Sequence, residues 1–117
     1  MRQAVTEQEN GHAALVRDVI NALAAELRTA MKATGEDSQS DMVWLSLAAW
    51  MRNHSMMSVT RQLATQQALN QPLMAGGRVY LLRLERLGEA PQAIHRITLH
   101  RQDDHQNWSV EQAPPNQ

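Results

Sequence analysis

The spacing of hydrophobic and polar positions changes its period along the chain. Over residues 15–31 the apolar positions recur in three- and four-residue steps (Leu15/Val16, Val19/Ile20, Leu23, Leu27, Ala30/Met31), which puts them on one stripe of an amphipathic helix. Thr6 with Glu9 fits a capping box, Gly11 equally marks a start nearer Asn10, and Gly35 supplies the left-handed residue that ends such a helix. Residues 36–40 are polar and predict a loop. Ser38 or Ser40 is then placed to cap a second helix, with Asp41 near its positive end. From 42 to 51 the chain reads MVWLSLAAWM, with Ser46 its one polar residue. A single stripe cannot hold so many apolar side chains, so this helix is expected to be central in the core or shared with a partner. Arg52-Asn53-His54-Ser55 interrupts it. A weaker helix resumes near Met56 and runs through Val59, Leu63 and Leu69 to about Asn70, because Gln71, before Pro72, is pushed out of helical geometry.

After Gly76-Gly77 the period falls to two. Tyr80, Leu82 and Leu84 alternate with Arg83 and Glu85, and Ile97 and Leu99 face together with Thr98 opposite. Residues 88–92 suit a hairpin loop, residues 103–107 a second turn, and Trp108-Ser109-Val110 a short closing strand. Tyr80, Leu81, Leu84 and Leu87 also fit a helical stripe, which leaves residues 79–87 open between strand and helix. The expectation is one α+β domain over residues 1–112 and a frayed tail over 113–117. It comprises an N-terminal helical hairpin, its second helix broken near 53–55, and an antiparallel meander of two or three strands.

Composition narrows the chemistry. The 117 residues include no Cys, which excludes disulfides, thiolate metal sites and Cys nucleophiles. No stretch reaches the roughly 20 apolar residues of a membrane span, and the first residues lack a signal peptide's apolar core, so a cytoplasmic protein is expected. Aromatic residues are few, namely Trp44, Trp50, Trp108 and Tyr80, so the core must be aliphatic and Met-rich. P-loop, G-x-G-x-x-G, G-x-S-x-G and H-E-x-x-H patterns are missing. Glu36-Asp37 and Asp103-Asp104 are paired carboxylates expected in solvated loops. The five His (12, 54, 95, 100 and 105) do not converge: His95 and His100 are five apart and face opposite sides of a strand. An enzyme, a metal and a cofactor are therefore not expected.

Two binding roles remain. Residues 53–101 carry six Arg against two acidic residues, and residues 47–61 resemble a helix-turn-helix with a small residue, a polar turn and an anchoring Val. On that reading Arg61, Gln62 and Gln66 face a major groove, while Arg83 and Arg96 lie on a wing. The turn lacks the usual Gly and runs about one residue long. The favoured role is protein binding. Met42, Leu45, Trp50, Met56 and Met57 form a Met- and Trp-rich apolar face, adaptable and suited to anchoring another protein or a second copy of the chain. A small bacterial accessory protein, serving as an adaptor, chaperone-like factor or regulator, is the expected identity.

Overall fold

A computed structural model describes residues 2–89 and 93–112, with side chains described from Leu15 onward. Three helices, α1 (Arg2–Ala33), α2 (Asp37–Asn53) and α3 (Met56–Gln66), precede four strands, β1 (Ala68–Ala75), β2 (Arg78–Leu87), β3 (Ile94–Arg101) and β4 (Asn107–Gln112). The strands form an antiparallel sheet in chain order, β1-β2-β3-β4. The architecture is α+β, with one strand more than the sequence pattern predicts and the expected second helix divided into two at the break near 53–55. The expected tail over 113–117 and part of the expected hairpin loop lie outside the described residues.

Each boundary has a local cause. α1 is already helical through Thr6 and Gly11, so neither marks its start. Its end is a Schellman cap: Gly35 has φ +82°, its N–H reaches Lys32 O at 3.0 Å, and the Glu36 N–H reaches Met31 O at 3.0 Å. α2 begins at Asp37 without a side-chain cap, and Ser40 is buried with its hydroxyl donated to Asp37 O at 2.6 Å. Neither expected serine therefore caps it. Ser55 caps α3 by accepting from the Ser58 N–H at 3.2 Å, so the break at 53–55 separates two true helices.

α3 stops four residues earlier than its apolar spacing predicts. Gln67 takes the left-handed conformation (φ 63°), and its N–H returns to Leu63 O at 3.0 Å. The chain then enters β1, with Pro72 in mid-strand. Arg86 N–H bonds Gln67 O, which fixes the hydrogen-bonding parity of the β1–β2 pair. By that parity Ala68, Asn70, Pro72 and Met74 turn their backbone groups toward the open edge, where a missing N–H costs nothing. Ala75 pairs with Arg78 across Gly76 and Gly77, at φ +57° and +75°; these are the two positive φ values that a two-residue type I′ hairpin demands. Residues 79–87 are strand.

Helices cover one sheet face. Tyr80, Leu82 and Leu84 of β2, Ile97 and Leu99 of β3 and Trp108 of β4 point into the core with Leu23, Leu27 and Met31 of α1 and Leu63 of α3. α2 and α3 lie against β1, and α1 against β3 and β4. The other face carries the alternate residues, among them Arg83, Glu85, Arg96, Thr98 and Ser109.

Candidate docking groove

α2 buries only part of its apolar surface within the fold. Val43, Leu47 and Trp50 occupy its core side, and Trp50 and Met56 are 5% and 2% exposed. Both are therefore consumed by the chain's own packing. Met42 and Leu45 point outward at 42% and 59% exposure, and Met57 is half-buried. The five residues of the expected binding face thus divide into three that solvent reaches and two that it does not. α2 is pinned on both flanks. Ser46 Oγ donates to Met74 O of β1 at 3.1 Å, and Arg28 of α1 bonds Asp41 at 2.7 Å and lies 5.3 Å over the Trp44 ring.

Where α2 gives way to α3 the surface opens into a depression of about 780 Å³, within the range of ligand clefts. Ala48, Met51, Met56 and Met57 give it an apolar floor; Arg17 and Asn21 of α1, with Arg52, His54 and Ser55, form its polar rim. His54 is oriented by donating Nδ1–H to Trp50 O at 3.0 Å, its ring 5.3 Å from the indole. α3 starts here, and the N–H groups of Met56 and Met57 belong to the first turn, which has no helical carbonyl to reach.

The charges are one-sided. Arg28, Arg78, Arg83, Arg96 and Arg101 each hold a carboxylate. Among the described residues Arg17 and Arg52 hold none, and no acidic residue lines the depression. Two guanidinium groups beside Met side chains and open helix N–H groups match a carboxylate carried on an apolar segment. Along α2, Leu45, Ala48 and Arg52 fall on one ridge at three- and four-residue steps, so the outward Leu45 leads into this depression.

A second polar cluster lies at the other end of α2, about 24 Å away at 1.5 Å per residue. Arg101 is 2% exposed, and each of its five N–H groups has an acceptor. Nη1 and Nη2 reach the two oxygens of Glu36 at 2.9 and 2.7 Å, and Nε and Nη2 reach Asp104 at 3.0 and 2.8 Å. Nη1 also donates to the Tyr80 hydroxyl at 3.3 Å, and the Tyr80 hydroxyl donates to Gln39 Oε1 at 2.6 Å. The guanidinium lies 5.2 Å over the Trp108 ring, whose Nε1–H donates to Thr34 at 2.9 Å. Hydrogen bonds to Arg101 hold both Glu36 and Asp104 below the ordinary carboxylate range, and a bond from Arg78 does the same for Asp103.

Asp103 and Asp104 lie in an exposed turn, as the sequence suggests, and together with Glu36 they also serve as anchors that clamp the α1–α2 turn to the β3–β4 turn. With every Arg101 donor satisfied, the cluster ties the two turns together. Sequence spacing gives no sign of it, since Glu36 and Arg101 are 65 residues apart.

The residues of the nucleic-acid reading do not share a surface. Arg61, Gln62 and Gln66 lie on α3, in the layer over the inner sheet face, whereas Arg83 and Arg96 alternate to the outer face. There Arg96 bridges Glu85 at 3.0 Å and Glu111 at 3.4 Å, and Arg83 bridges Glu85 at 3.4 Å, which neutralises the outer face. His100 meets Asn107 at 2.6 Å and stacks 5.5 Å from His105, while burial, with Arg86 nearby, holds His95 below its usual range. Among the described residues no group of three His or acidic side chains is placed to hold a metal ion, and no helix is long and apolar enough to cross a membrane. The chain matches no family model, no curated protein and no solved structure.

Proposed function

We propose that this protein is a non-catalytic adaptor that binds another protein through its helical layer. The groove runs from Leu45 along α2 to the depression at Met57, and the partner supplies an apolar segment bearing acidic residues. The observation that carries this reading is the pairing of an apolar Met floor with Arg17 and Arg52, two arginines that hold no carboxylate among the described residues. Met side chains repack around an irregular guest, and arginine captures a carboxylate in forked geometry. Met42 and Leu45 extend the contact, while Trp50 and Met56 support it from beneath.

Site-specific photo-cross-linking in the native host tests this. A photoreactive residue at Met57 is expected to give discrete adducts that disappear when Arg17→Glu and Arg52→Glu are combined. The same residue at Thr98, on the outer sheet face, is expected to give none. Adducts at Met57 that persist through the double charge reversal, or adducts confined to Thr98, would overturn the reading.

A further inference from the structure

The two edges of the sheet are built differently. On β1 the outward backbone groups are blocked: Pro72 has no N–H, its carbonyl accepts from Gln71 Nε2 at 3.0 Å, and the Met74 carbonyl accepts from Ser46 at 3.1 Å. Such devices keep an edge from recruiting another strand. β4 has none of them. The Arg101 N–H bonds Gln106 O at 2.8 Å in register with the β3–β4 pairing. Trp108 and Val110 therefore face β3 with their backbone groups, and Asn107, Ser109 and Glu111 turn theirs to the open side. Among the described residues no side chain caps these groups, and the strand has no proline, lysine or bulge.

We propose that β4 pairs with β4 of a second copy, antiparallel about a two-fold axis through Ser109, making one continuous sheet across two subunits. The register follows from parity. Outward residues must pair with outward residues, and only an axis at Ser109 engages all three within β4: Ser109 with itself and Asn107 with Glu111 of the other copy. Each pair exchanges both N–H···O bonds.

Both faces agree with this register. On the outer face a hydroxyl meets a hydroxyl and an amide meets a carboxylate, so the Glu111 charges do not oppose one another. On the inner face Trp108 comes opposite Val110, an aromatic–β-branched pair of the kind that stabilises sheets. Strand pairing alone is small against the roughly 1,000 Å² that a stable interface clears. α1, which packs on β4, supplies more. At about 100° per residue, Leu15, Val19, Ala22, Ala30 and Ala33 share the flank opposite the one that meets α2, with Glu26 the charge among them. Leu15 is 58% exposed. This surface is separate from the docking groove and stands or falls independently of it.

Sedimentation equilibrium of the full chain tests the proposal, with two variants. Ser109→Lys sets two like charges on the axis while leaving an exposed strand position otherwise intact. Ser109→Cys uses a chain without cysteine as its own background. The opposed Cα atoms of such a pair lie about 5.5 Å apart, within disulfide reach. The expected result is a dimer whose dissociation constant rises at least tenfold in Ser109→Lys, with circular dichroism unchanged and the melting temperature matching the original chain at concentrations where both are monomers. Ser109→Cys is expected to cross-link in far higher yield than Met74→Cys on the blocked edge. A monomer at every concentration, a dimer indifferent to Ser109→Lys, or equal cross-linking at both edges would overturn it.

Discussion

Arg101 shows how a single side chain fixes the relation of two layers. An arginine 2% exposed is costly to desolvate, and it is tolerated because Glu36, Asp104 and Tyr80 satisfy all its donors between two aromatic rings. Truncation leaves two carboxylates facing each other across a cavity. Breaking a buried pair costs about 3–5 kcal/mol; since Glu36 and Asp104 keep some access to water, Arg101→Ala is expected at the low end, near 3 kcal/mol in chemical denaturation.

The pH dependence has a definite sign. Both acids have pKa values lowered in the folded state, so their contribution is present above the unfolded value of about 4 and lost as pH falls through the folded values. Melting temperature should therefore fall on acidification below about pH 5, and fall less steeply in Arg101→Met, where the shift loses its largest cause. Gly76 and Gly77 make a paired test of local geometry. A Cβ at Gly76 would run into the Gln39 side chain, which also accepts from Tyr80, whereas Gly77 faces open space. Alanine at either site costs about 1–2 kcal/mol for positive φ, and Gly76→Ala should cost more than Gly77→Ala in the same assay.

At the level of whole elements, the sequence announced whatever had a local cause. The three- and four-residue spacing of α1, the cap at Gly35, the break at 53–55 and the alternation of Tyr80, Leu82 and Leu84 all act within a turn or a strand, and each is legible. β1 was not. Its entry depends on Gln67 adopting positive φ without being glycine, and Pro72 reads as a breaker unless its N atom is known to face an open edge. Likewise, Trp50 and Met56 look like excess apolar surface until the sheet that covers them is in place. Arg17, by contrast, reads as an ordinary solvated residue until α2 ends beside it. Ser55 lies in that legible break, although its capping role shows only in the structure, and its removal is a clean element-level prediction. Ser55→Ala should cost about 1 kcal/mol through the lost Ser58 N–H bond, with the loss of protection in amide exchange concentrated in the first turn of α3.

For the molecule as a whole, charge is distributed by layer. The outer sheet face balances Arg83 and Arg96 against Glu85 and Glu111, and the clamp balances Arg101 and Arg78 against three acids. Among the described residues that line the depression, positive charge is left without a counterpart, and apolar floor adjoins it. The central claim is that a partner covers this place. Oxidation footprinting of methionines, read by mass spectrometry, tests it most directly, because sulfoxide formation follows access to each sulfur. In the purified chain Met57, Met42 and Met74 should oxidise while Met56, 2% exposed, stays protected. In cells of the native host Met57 should become protected, with Met74 still reactive as the internal reference, and Arg17→Glu with Arg52→Glu should restore its oxidation. Equal oxidation of Met57 in cells and in the purified chain would contradict the account.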